Sequence, residues 1–186
     1  MRPKAPVEHL TGRWFVGILK INRDLKGGEM MEIGSRMLKG MSGHDAGRQL
    51  LADMYRQLTG NPMPEITVTD RGKPCFVTGD LHFSISHTKT AVFCVLSDRP
   101  VGIDAENIDR NIDLALAERI SSPPERQRYE DAPDKRKALL RLWVLKEAYA
   151  KATGRGWGSY LYKTDFDPND PRIKKIDGCF VAVIEL

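Results

Sequence analysis

Two short stretches hold side chains whose type and spacing could do chemistry. In VGIDAE, residues 101–106, Asp104 and Glu106 are separated by one alanine. Alternate side chains of an extended chain share a face, so these two carboxylates point one way while Ile103 and Ala105 point the other. About forty residues later, LWVLKEAYAKATG places Glu147 and Lys151 four apart, on one side of a helix. That helix, RKALLRLWVLKEAYAKATG at 136–154, is apolar around most of its circumference through Leu139, Leu140, Leu142, Trp143, Val144, Leu145, Ala148, Tyr149 and Ala152. Such helices are buried. A lone buried carboxylate loses its hydration or has its pKa forced upward, so Glu147 requires a partner.

Two accounts of that partner stand side by side. In one, Glu147 and Lys151 form a surface-type i,i+4 bridge and VGIDAE ends a strand in water. In the other, Asp104, Glu106 and Glu147 converge. Their mutual repulsion is then relieved by a hard divalent cation with oxygen ligands, and a shell left open to water and phosphate oxygens suits magnesium. Other residues point toward anions. Lys73 stands in the turn Gly72-Lys73-Pro74 just before a strand, Ser86-His87 closes the run LHFSIS, and Arg48 sits early in a helix. Each has a plainer reading as well: a solvated turn lysine, an exposed strand-end histidine, a solvated helix arginine.

The elements that must position these groups follow from periodicity and punctuation. Apolar Ala46, Leu50, Leu51, Met54 and Leu58 predict a helix over about 45–58, ended by Gly60-Asn61-Pro62. The run 135–153 predicts the strongest helix, stopped by Gly154 and Gly156. Ser121-Ser122-Pro123-Pro124-Glu125 reads as a helix start with proline in its first turn. Strands are expected at Trp14–Ile21, ITVTD (66–70), LHFSIS (81–86), AVFCVLS (91–97), VGIDAE (101–106) and the terminal CFVAVIEL. AVFCVLS and VGIDAE, separated by Asp98-Arg99-Pro100, are expected to form a hairpin.

Composition narrows the function classes. Over 186 residues, 29 Lys plus Arg against 25 Asp plus Glu give a net charge of +4. That bias favours an anionic small molecule or an acidic partner protein; without a clustered basic stripe or recognition motif it argues against nucleic acid. The three cysteines lack metal-ligand spacing. MRPKAPVEHLTGR has no apolar signal-peptide core, and WFVGILKI is too short to span a bilayer. A cytoplasmic protein with reduced thiols and no membrane contact is the expectation.

Taken in order, GKPCF (72–76), FSISHTKTAVFCVLS (83–97), VGIDAE and LWVLKEAYAKATGRG (142–156) resemble the successive motifs of the phosphopantetheinyl transferases, of the surfactin-synthetase type. The combination G-I-D-x-E followed by W-x-x-K-E-A-x-x-K is specific where either half alone is weak. A fainter match runs through HDAGRQLLADMY at 44–55. The resemblance implies an α+β fold made of a pseudo-twofold pair of similar halves, 1–100 and 101–186, forming one compact unit with the active site between them. It implies transfer of the 4′-phosphopantetheine arm of coenzyme A to a serine of an apo acyl or peptidyl carrier protein, with release of 3′,5′-ADP; the alternative is a non-catalytic relative that binds a carrier protein or nucleotide. It further implies Mg²⁺, or Mn²⁺, on Asp104, Glu106 and Glu147, and Lys151 with Lys146 neutralising phosphate charge. Lys73, Ser86 and His87 would hold the nucleotide end and Arg48 the 3′-phosphate, with Arg36 and Lys39 as further candidates. Glu147 would take the serine proton, and Asp104 mid-chain argues for a monomer rather than a trimer of single halves. About thirty residues follow Gly156, fewer than this type carries, so a thinner second half is expected.

Overall fold

A computed structural model describes residues 16–17 and 30–186. Seven buried residues make β6 (Ala91–Ser97) the central strand of an antiparallel sheet in the order β1-β2-β6-β5, with β1 Val16–Gly17, β2 Met31–Met37 and β5 His82–His87. Helix α1 (Gly43–Thr59) covers this sheet through Ala46, Leu50, Leu51 and Met54. Its ends obey local chemistry. The Ser42 hydroxyl accepts from the Asp45 N–H at the first turn, and Gly60 closes the last turn in the left-handed conformation. A ribbon of β3 (Ile66–Val68) and β4 (Pro74–Phe76) follows.

The second sheet has the order β7-β9-β8, from Val101–Asn107, Cys179–Glu185 and Ile173–Ile176. One of its faces packs on α4 (Lys135–Thr153), whose buried side is the largest apolar cluster. Ile103 and Ala105 lie on the opposite face, against Phe93 and Val95 of the first sheet. Short helices α2 (Leu116–Ile120) and α3 (Pro123–Glu130) fill the crossover; α3 starts in a capping box of Ser122 and Glu125. The result is an α+β fold of two antiparallel sheets, each backed by one long helix.

The helices 45–58 and 135–153 and the proline-opened α3 stand where the sequence puts them. The hairpin of AVFCVLS with VGIDAE does not form: β6 already has a partner on each edge, β2 and β5, while β7 pairs with β9. A continuously apolar run is what a strand buried on both faces looks like, and such a strand belongs inside a sheet. Apart from Val16–Gly17, the expected strand Trp14–Ile21 lies outside the described residues. Among the described residues no helix is long and apolar enough to cross a membrane.

Candidate active site

The glycine of VGIDAE sets the geometry. A Cβ on Gly102 would stand 2.0 Å from the Ala148 carbonyl oxygen and 2.4 Å from the Ala152 nitrogen, so β7 and α4 touch backbone to backbone. This close approach brings Asp104 on the strand to Lys151 on the helix, whose Nζ donates to Asp104 Oδ1 over 2.7 Å. Ser86 of β5 donates to the same oxygen over 2.9 Å. Asp104 is 6% exposed, and its Oδ2 is buried without a partner. Burial pushes this carboxyl above the usual range, against the opposing pull of Lys151.

Glu147 lies one helical turn before Lys151. Its Oε1 accepts from the Trp157 indole N–H at 2.6 Å, and that indole stacks on Trp143 with ring centroids 5.0 Å apart. Burial first, and then the charge of Asp104, hold Glu147 above the ordinary carboxylate range; Trp157, Lys151 and Arg110 oppose them. Lys151 therefore bonds across to the strand, and the i,i+4 surface bridge is not the arrangement. Glu106 is turned to Arg110.

A cavity of about 420 Å³ opens beside this pair, between α1, the 71–74 turn, β5 and the C-terminal end of α4. Its wall gathers Arg48, Lys73, His87, Glu147 and Lys151 from distant parts of the sequence. It adds His44, Arg71 and Trp157, which the sequence reading missed. Nothing in GRGWG or RGKP distinguishes those last two from ordinary loop residues; both stay exposed, and the fold alone sets them beside the cavity. Gly43 is needed where α1 begins, since a Cβ there would meet the His87 ring at 2.5 Å. Lys73 donates to the carbonyls of Val101 and Ala152 at 3.2 and 3.0 Å, and burial lowers its pKa. Two of its three N–H donors hold β7 and the end of α4, leaving one for a ligand.

Several expected site residues lie elsewhere. Lys146 is fully buried on the far side of α4, paired with Glu125 at 2.8 Å and bonded to the carbonyls of Leu161 and Thr164. Adjacent helix residues differ by about 100° in direction, so Lys146 cannot share the Glu147 face. Ser86 is spent on Asp104 and does not line the cavity. Arg36 is buried against Asp53 and Gln49, and Lys39 lies exposed in the turn after β2, also off the cavity wall.

The expected cluster of three carboxylates is likewise not assembled: among the described residues no three His, Cys, Asp or Glu side chains are gathered as a metal site. Two of the three do fit a hard cation. Asp104 presents an unpartnered buried oxygen, Glu147 is raised by burial and then by that neighbouring charge, and a divalent ion would relieve both. Two carboxylates with water and phosphate completing the shell match magnesium's habit. Glu106 is set apart from these two by its ion pair with Arg110.

Comparison with known proteins gives a concordant result. The model of the 4′-phosphopantetheinyl transferase superfamily matches residues 100–178, the segment from β7 through α4 to the β8–β9 turn. The chain is 36% identical over 115 residues to the 4′-phosphopantetheinyl transferase psf-1 of Bacillus pumilus, covering 59% of this chain and 49% of that protein. It is 34% identical over 125 residues to Sfp of Bacillus subtilis (strain 168), covering 60% and 54%. To AcpT of Salmonella typhi it is 33% identical over 146 residues, 76% of this chain and 72% of the relative. The chain thus spans about half the length of the first two relatives and most of the third.

Proposed function

The chain belongs to the 4′-phosphopantetheinyl transferase superfamily, and from that premise we propose that it moves the 4′-phosphopantetheine arm of coenzyme A onto a serine hydroxyl of an apo acyl or peptidyl carrier protein, releasing 3′,5′-ADP. The observation that carries the reading is the cavity itself. Arg48, Lys73, His87 and Lys151 share its wall with a carboxylate, Glu147, as a polyanionic substrate and a hydroxyl nucleophile together require.

In this reading the carrier serine attacks the β-phosphate of coenzyme A and the bond to the α-phosphate side breaks. Charge grows on the phosphoryl oxygens and on the leaving phosphate. Lys151, between Asp104 and the cavity, meets that charge from the helix side, and Lys73 from the turn, as donors placed in advance of the reaction. Arg48 and His87 hold phosphate at the α1 end. Glu147, whose pKa is raised by burial, accepts the serine proton. A magnesium ion held by Asp104 and Glu147 would supply Lewis-acid polarisation of the phosphate oxygens. No nucleophile from the enzyme is needed.

Action as a monomer, expected from the mid-chain place of Asp104, is part of this proposal. The three cysteines are free thiols, in keeping with the cytoplasm. Each main sheet draws its strands from one side of Pro100, which supports two halves, 1–100 and 101–186, of one unit. The test is the intact mass of an apo carrier protein incubated with coenzyme A, Mg²⁺ and the enzyme. A gain of one phosphopantetheine, abolished by EDTA, is expected. An unchanged mass with fatty-acid, polyketide and peptide-synthetase carriers would favour a binding protein without transfer.

A further inference from the structure

Asp104 is held from one side only. Its Oδ1 takes both donors, Ser86 and Lys151, while Oδ2 is buried with none. The Ser86 hydroxyl is itself fixed, because the backbone N–H of Ala105 donates to it over 3.2 Å. One hydroxyl thus accepts from the β7 backbone and donates to a β7 carboxylate. A serine carries a single O–H, and here it points at Asp104, so none remains for a phosphate oxygen. Ser86, like Asp104, is only 6% exposed and stands behind the cavity wall.

We infer that Ser86 is a positioning residue that acts through Asp104: by pinning Oδ1 it fixes the carboxylate and leaves the unpartnered Oδ2 for the cation. Its hydroxyl is not a donor to the nucleotide. Hydrogen-bonded supports of this kind around metal ligands change metal affinity by about tenfold to a hundredfold when removed. A comparison for the metal readout lies two residues away, on the cavity wall. Ser84 accepts the Ile103 N–H at 3.1 Å, the same kind of rung between β5 and β7, without touching Asp104.

The inference rests on the cation part of the proposed function, and the experiment separates the two. Mn²⁺ binding to the cation-free protein is titrated by electron paramagnetic resonance of the free ion. In parallel, binding of 3′,5′-ADP is measured calorimetrically in EDTA. Ser86→Ala is expected to weaken Mn²⁺ binding about tenfold or more while leaving 3′,5′-ADP affinity unchanged. Ser86→Thr, which keeps the hydroxyl, restores the wild-type Mn²⁺ value. Ser84→Ala lowers the melting temperature as Ser86→Ala does but leaves Mn²⁺ binding intact. If Ser86→Ala does not fold, Ser86→Cys, a weaker donor of similar size, carries the same comparison. Unaltered Mn²⁺ binding in the variant, or a loss of 3′,5′-ADP affinity instead, overturns the positioning role alone. A wild-type protein that binds 3′,5′-ADP but no Mn²⁺ overturns the cation reading and this role with it.

Discussion

Replacing Gly102 by alanine tests whether the site depends on the contact between β7 and α4. The new Cβ would lie 2.0 Å from the Ala148 oxygen, whereas ordinary contact begins at 3.4 Å, so strand and helix must separate by about 3.4 − 2.0 = 1.4 Å. Neither partner is a flexible side chain that can swing aside. The Lys151–Asp104 bond, 2.7 Å in the native protein, would lengthen to about 4 Å and cease to be a hydrogen bond. Overpacking of this kind costs about 1–3 kcal/mol. Losing the charge-assisted bond adds about 1 kcal/mol, a figure reduced because Lys151 is 31% exposed. A total of about 3 kcal/mol lowers the melting temperature of a chain this size by roughly 6–12 °C. Scanning calorimetry in EDTA reads that shift, and Mn²⁺ titration of the same variant reads the displaced Asp104 as weakened binding. A Gly102→Ala protein that melts within about 2 °C of wild type and binds Mn²⁺ equally well would refute the claim that this glycine builds the site.

Lys146→Met leaves Glu125 in the core without its counter-charge and should cost about 3–5 kcal/mol, read by calorimetry. Its 3′,5′-ADP affinity, measured below the melting transition, should equal that of wild type; a stable variant with lost affinity would return Lys146 to the phosphate site. The raised pKa of Glu147 gives a signed pH effect. The folded chain binds this proton more tightly than the unfolded chain, so the group's contribution to stability falls as pH rises from its ordinary 4.5 through the raised folded value. Glu147→Gln removes that loss, so in EDTA the melting temperature of the variant minus that of wild type should grow between about pH 4.5 and 7. A constant difference would show that the carboxyl is not raised.

How much of this was readable without coordinates differs by element, for physical reasons. Helix α4 was readable to its ends because length, apolar coverage and a glycine stop all agree. Strand β2 was missed because Gly34 and Arg36 interrupt the MEIGSRM pattern, although the fold buries both Ser35 and Arg36. Strand β8 was missed because IKKI is a four-residue edge strand whose two lysines face outward. Lys146 and Glu147 show the limit most sharply. Helical periodicity groups Glu147 with Trp143 and Lys151 and sends Lys146 to the buried face. That a lysine can be stored there depends on Glu125, twenty-one residues earlier, which no local pattern announces.

The two carboxylates stand on a strand and a helix because of how the two sheets meet. Strand β5 is the edge of one sheet and β7 the edge of the other, and their backbones do not pair. An unpaired buried edge leaves N–H groups that must find acceptors. Here the hydroxyls of Ser84 and Ser86 accept from Ile103 and Ala105, taking the place of backbone carbonyls. Side-chain rungs hold the sheets together without merging them. On the other side of the seam Lys73 ties the Val101 carbonyl to that of Ala152 in the last turn of α4, where a cation also meets the negative end of the helix dipole. The cavity lies where these ties stop, with Ser84 and Lys73 on its wall. Of the polar groups that replace a continuous sheet, Ser84, Lys73 and Lys151 therefore stand on the wall around the proposed chemistry, with Ser86 and Asp104 directly behind them. A merged sheet would have satisfied the backbone equally well and left no opening for a polyanion.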